Sequence, residues 1–284
     1  MEHGVRYREE RIGRCRIERI ELLEEDCARK MGKPRGNYVT LHCRPFWKLG
    51  EEEREEAIRL LAGEIRAMCL PAEGITERFG VLVVGLGNAE ITADAVGPKT
   101  VHRLTVTRHL HEHDREIFRL LGRCQLSAIA PGVLGQTGME AADLIRGAVK
   151  AVRPDVVLAI DALAARATER LAATVQLTDT GIAPGSGIGN RRRAIDRASV
   201  GAPVVALGIP TVVDSATLIC DALSRAGITE MSDRLRDVLE NNRRFFVSPK
   251  ESDCITAQTA ALLADAIEEA FSLEGDAYSA NCRA

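Results

Sequence analysis

The 284-residue sequence contains no run of eighteen apolar residues, so none of it reads as a membrane span. It lacks an excess of positive charge: 38 Lys and Arg face 41 Asp and Glu, for a net charge of −3. A chain so balanced is not expected to hold a nucleic-acid backbone directly. It also lacks the basic start and apolar stretch of a secretion signal, because residues 1–30 hold eight basic and eight acidic side chains. A cytoplasmic location is the expectation. None of the eight cysteines forms a CxxC pair, and their gaps fit no zinc pattern, so they read as free thiols. All six histidines lie at or before His113, and Cys124, the first cysteine after them, carries no local signature of a Cys–His nucleophile.

Three further absences narrow the chemistry. HLHEH at 109–113 puts Leu110 where a zinc peptidase HExxH needs glutamate. GLG at 85–87 has Glu90 where a dinucleotide loop needs its third glycine. GSGIG at 185–189 lacks the lysine of a P-loop, and the RRR after Asn190 reads as a solvated basic turn. No cofactor and no resident metal are expected.

The remaining composition is that of a globule, 45% hydrophobic and 28% charged, long enough to bury about three-quarters of its unfolded surface. Residues 1–36 are densely charged and fix no period, which predicts a peripheral segment with one edge strand and a turn at 32–36. Residues 37–284 read as a single α/β domain. In 51–70, Ile58, Leu61, Ile65 and Met68 share one helical face, and glutamates crowd the first turn, where the helix dipole favours them. From position 80 the texture changes to apolar runs separated by glycine-rich loops. Residues 80–85, 126–130, 155–160 and 203–208 read as strands buried on both faces, with helices at 94–112, 140–152 and 214–225 between or after them. A further strand at 174–178 alternates polar and apolar residues and is placed nearer an edge, and 249–272 is a closing helix headed by Glu251 and Asp253. The fold class is α/β: a central, twisted, mostly parallel sheet covered by helices on both faces.

In open α/β sheets, ligands gather at the carboxyl ends of the strands. The loops there are rich in glycine, which permits close backbone approach. Two carboxylates stand out: Asp161, directly after the apolar run 156–160, and Asp94, nine residues past Gly85. Brought together, they would share one proton, since two like charges a few ångströms apart cannot both ionise cheaply. The ionised member would activate water while the protonated one polarised a carbonyl. Position alone also allows Asp94 to be a helix cap and Asp161 a loop acceptor. Asp179 and Asp214 read as capping or turn residues.

Four long motifs in this order, VVGLGNAEITADAVGP (83–98), AIAPGVLGQTGME (128–140), AIDALAARATERLAATVQLTDTGIAPGSGIGNRR (159–192) and PVVALGIPTVVDSATL (203–218), with FFVSPKESD at 245–253, resemble the germination protease family of endospore formers. The resemblance runs from about residue 37 to 225 and resumes near 241. It implies an endopeptidase that degrades small acid-soluble DNA-binding spore proteins in the spore core, works as a homotetramer, and has a fold like that of hydrogenase-maturation endopeptidases. It also implies an atypical aspartic mechanism, whose two essential aspartates carry over onto Asp94 and Asp161. Asn88, Gly132, Gly135, Arg166, Gly185, Gly187 and Asn190 are the candidates for the substrate cleft. Alternatives are a metal-dependent maturation-type endopeptidase and an inactive relative that binds spore proteins. Three departures from the family pattern carry expectations: no zymogen cleavage sequence in residues 1–36, a looser Asp94 loop because Ala93 stands where proline is usual, and a shortened 227–240.

Overall fold

The computed structural model describes residues 4–71, 74–185, 192–228, 230–241 and 245–273. Among the described residues nine strands build one sheet: β1 (Val5–Ile12), β2 (Cys15–Leu22), β3 (Gly36–His42), β4 (Gly80–Gly85), β5 (Gln125–Ile129), β6 (Val156–Ala165), β7 (Thr174–Thr178), β8 (Val204–Asp214) and β9 (Phe246–Val247). Their order is β1-β2-β3-β7-β8-β6-β4-β5, with β9 on the far end of β8. The central strands β5, β4, β6 and β8 run parallel, as the alternation of apolar runs and helices predicts. β7, β3, β2 and β1 extend that core as an antiparallel flank.

Unbroken apolar runs make the parallel strands because both faces of that sheet are covered. Val81, Val83, Leu158, Ile160 and Leu207 pack on one face against the helices Glu51–Cys69 and Ser252–Ala270, which contribute Leu61, Ile65, Leu263 and Ile267. Leu82, Val84, Val157 and Ala159 pack on the other face against Ile145 and Val149 of the helix Ala141–Val152. The chain therefore changes face on either side of β4: the connection to β5 runs over the first face, and the connection from β5 to β6 over the second. A crevice opens at the carboxyl end of β4 for that reason.

The N-terminal strands belong to the same sheet, and Cys15 and Ile17 of β2 reach the core beside Ile65. β7 lies between β3 and β8 rather than near an edge. Its alternation of polar and apolar residues reflects one partly open face, with Val175 and Leu177 buried and Gln176 and Thr178 half-exposed.

The single helix expected over 94–112 is instead a 3-10 turn, Thr92–Asp94, and the short helices Val96–Val101 and Arg108–His113. Thr107, fully buried, breaks it. Its N–H donates to the Leu126 carbonyl (3.0 Å), its hydroxyl donates to the Cys124 carbonyl (2.5 Å), and the same hydroxyl accepts the Leu126 N–H (2.9 Å). Those bonds fasten the segment to β5 at the point where a helix would need its own ladder. Thr107→Val is isosteric but leaves two buried backbone groups short of a partner, which is expected to cost about 2–4 kcal/mol in urea unfolding. Thr107→Ser should recover most of it. A valine variant within 0.5 kcal/mol of wild type would show that the hydroxyl is not what holds the segment (about the scatter of neutral surface changes).

Candidate active site

β4 ends at Gly85 opposite Ile160 of β6, and the next N–H, that of Leu86, donates to the Ile160 carbonyl (2.8 Å). Asp161 is thus the first β6 residue beyond the end of β4. It does not end its own strand, as the sequence suggested, because β6 runs on to Ala165 against β8, with Asp161 opposite Gly208. Past Leu86 the chain turns at Gly87 (φ 112°) and comes back so closely that a side chain there would collide with the Asp94 carbonyl. The Asn88 N–H then donates to Asp94 Oδ2 (2.6 Å), which closes the loop on itself. Asp94 does not cap the following helix; Ala95 occupies that position.

Further contacts brace this loop from two sides. Asn88 Oδ1 accepts from Gln136 Nε2 (2.8 Å), tying it to the short helix Leu134–Thr137 after β5. The Thr92 hydroxyl donates to Asp253 Oδ1 (2.7 Å), and the Thr256 hydroxyl donates to the Thr92 carbonyl (3.1 Å). The expected looseness at Ala93 is therefore offset by the start of the closing helix. Asp253, expected as a helix-heading charge, also serves as an acceptor for the loop that carries Asp94.

Asp94 and Asp161 share a cavity of about 300 Å³. Of the residues proposed for a substrate cleft, Asn88, Gly132, Gly135 and Gly185 also line it. Arg192 and Arg193 line it too, where the sequence suggested only a solvated turn; Arg193 reaches Asp143 at 3.0 Å. Leu86, Val133, Leu134 and Ala141 supply an apolar wall. Arg166 does not line the cavity. The extra length of β6 carries it roughly 16 Å along the strand from Asp161 at about 3.3 Å per residue, and its side chain is exposed. Gly187 and Asn190 lie outside the described residues. Asp179 and Asp214 have the structural roles expected of them: Asp179 accepts from the Asn37 N–H (2.8 Å) and side-chain amide (2.6 Å), and Asp214 caps the helix Ser215–Arg225 through the Thr217 N–H (2.9 Å).

The two carboxyls sit in different surroundings. Asp161 is 6% exposed, and burial, then the nearby Asp94 charge, push it up to about 7 against the opposing hydrogen bond from the Ala162 N–H. Asp94 is also raised by burial, and the Asn88 N–H pulls it back toward the ordinary range. Asp161 is therefore the more strongly raised of the two and keeps its proton below about pH 7. Another cavity, of about 320 Å³ between the antiparallel flank and the helix Glu51–Cys69, is lined by the part-buried Arg19–Glu64 ion pair and has no such carboxyl dyad. Among the described residues no three His, Cys, Asp or Glu side chains cluster as metal ligands.

A family model described as germination protease matches residues 1–242. The chain belongs to the germination protease family. A germination protease of Caldanaerobacter subterraneus subsp. tengcongensis is 38% identical over 93% of this chain and 87% of its own length. One from Priestia megaterium is 44% identical over 78% of this chain but only 59% of its own length. A [NiFe] hydrogenase maturation protease, HycI, of Thermococcus kodakarensis aligns over 67% of this chain and 92% of its own, at 16% identity and a TM-score of 0.35, too slight a likeness to carry an argument. Membership in the germination protease family supports a protease role in spore germination. The family match includes residues 1–36, beyond the span in which the sequence motifs were legible.

Proposed function

We propose that the chain is an endopeptidase that begins the degradation of small acid-soluble DNA-binding spore proteins during germination, with Asp94 and Asp161 as its catalytic pair. The observation that carries this reading is a lopsided carboxyl pair in one cavity, with Asp161 raised to about 7 beside Asp94. Asp94, ionised, takes a proton from a water molecule as that water attacks the scissile carbonyl carbon. Asp161, protonated, donates a hydrogen bond to the carbonyl oxygen as negative charge develops on it. Collapse of the tetrahedral intermediate returns the proton from Asp94 to the departing amine. Gly132, Gly135 and Gly185 line the cavity, and without side chains they leave room for an extended peptide backbone to approach. No cofactor enters these steps. The enzyme works in the cytoplasm of the spore core as a homotetramer.

A timed digest of a purified small acid-soluble spore protein tests the proposal, run with wild type, Asp94→Asn and Asp161→Asn, with and without chelator. Discrete cleavage unaffected by chelator, slowed about a thousandfold in either variant, is the expected result. Wild-type rates in both variants would remove the dyad. Loss of cleavage with chelator would transfer the chemistry to a metal, and binding without cleavage would identify an inactive relative.

A further inference from the structure

Cys15 opens β2, and Cys43 directly follows the last residue of β3. The final ladder pair of these strands joins Arg16 to His42, so the next rung sets Cys15 opposite Cys43. Directly opposed residues of antiparallel strands have Cα atoms about 4.5–5.5 Å apart, inside the range a disulfide spans without backbone movement. The two sulfurs are already 2.7 Å apart. Neither residue has a part in the dyad chemistry.

We propose that Cys15 and Cys43 are a redox modification site: a dithiol that hydrogen peroxide oxidises to a reversible disulfide clamping β2 to β3. Cys15 is 4% exposed, in a cluster with Phe46, Ala57 and Ile58, while Cys43 is half-buried. A small oxidant enters such a site where a bulky disulfide reagent does not. The hydrogen bond from the Cys43 S–H lowers the Cys15 thiol, against the opposing effects of burial and of Glu56 and Glu53, and raises Cys43 itself. Cys15 is therefore the more readily ionised sulfur and the one that attacks, and Cys43 the thiol that resolves.

The Cys15 sulfur attacks one peroxide oxygen, the O–O bond breaks, and the departing hydroxide takes up a proton as water. Cys15 is left as a sulfenic acid. The Cys43 sulfur then attacks the Cys15 sulfur, the S–O bond breaks, and a second water leaves with the Cys43 proton. Two thiols have lost two protons and two electrons, and one peroxide has become two waters. The disulfide closes a loop holding most of β2, the helix Glu25–Met31 and β3, which restrains the unfolded chain. The clamp is anchored to the body of the sheet, since the Cys43 N–H donates to the Ala173 carbonyl (2.9 Å) just ahead of β7.

The test titrates the full chain with hydrogen peroxide, alkylates the remaining thiols and maps peptides by mass spectrometry without reductant. The expected result is a peptide joining Cys15 to Cys43, a mass about 2 Da lower, and two thiols lost together. Dithiothreitol reverses all of it, and Tm is several degrees higher in the oxidised form. Cys15→Ser and Cys43→Ser each abolish the joined peptide and the Tm shift. The exposed Cys254 is the internal control. Oxygen addition at Cys254 while Cys15 and Cys43 both remain alkylatable would overturn the proposal, as would a disulfide between any other pair. The wild-type map decides the matter even if a serine variant folds poorly.

Discussion

Asp161→Asn should make the folded protein more stable above neutral pH while slowing cleavage about a thousandfold. Burial and the Asp94 charge raise the Asp161 carboxyl from 3.8 to about 7 in the folded chain. Between those values the folded state binds a proton that the unfolded state has released, so stability falls as pH rises, by about 1.4 kcal/mol per unit. The contribution is intact below the unfolded value and lost once pH passes about 7. The accumulated penalty is on the order of 4 kcal/mol. Asparagine cannot ionise, so its stability should lack that slope: similar to wild type near pH 4 and well above it at pH 8. Urea unfolding at several pH values reads the difference directly. Parallel curves for the two proteins would mean that Asp161 titrates in the ordinary carboxylate range and holds no proton for catalysis. Asp94→Asn adds a second check, because removing its charge lowers the Asp161 carboxyl and moves the end of the slope to lower pH. In the proposed mechanism the same proton limits turnover, and cleavage declines as pH rises through about 7.

The parallel core was legible in the sequence because burial on both faces leaves an unmistakable mark: runs such as Val81–Val84 have no polar alternation to confuse with anything else. The carboxyl-end rule then pointed to the loops after β4, β5 and β6, and Asn88, Gly132, Gly135 and Gly185 do meet at one cavity with the two aspartates. What the sequence hid was set by partners far along the chain. Residues 5–22 form a hairpin whose charged strands show no period, because β1 is exposed along most of its length and β2 buries only one face. Arg166 looked close to Asp161 only while β6 was taken to end there. The brace from Asp253 and Thr256 to Thr92 spans more than 160 positions, and no local pattern announces it. Thr107 gave no warning either, since a threonine in a helical stretch looks the same whether or not its hydroxyl is claimed by a neighbouring strand.

Gly87→Ala is expected to cost more than about 2 kcal/mol of stability and at least a hundredfold in cleavage rate, although both carboxyl groups are retained. Two separate demands fall on this position. Its φ of 112° is one that side chains rarely adopt, and an added Cβ would lie 2.1 Å from the Asp94 carbonyl oxygen and 2.9 Å from Oδ1. The carbonyl has little room to retreat, because the Asp94 N–H is bound to the Ile91 carbonyl (2.8 Å) and its carboxylate to the Asn88 N–H (2.6 Å). The loop can relieve the clash only by opening, which moves Asp94 away from Asp161. Gly201→Ala separates the two demands. Gly201 also has a positive φ, 87°, but a Cβ there meets nothing within 4 Å, and it ends the helix Arg197–Val200 away from the dyad cavity. That variant should lose about 1 kcal/mol from backbone strain alone and keep its cleavage rate. Equal losses in the two variants, in unfolding and in rate, would mean that the tight approach of Gly87 to Asp94 does not position the catalytic carboxylate. A large rate loss at Gly87 alone, with Asp161 no longer raised in a pH titration of stability, would show that the loop holds the two carboxyls together.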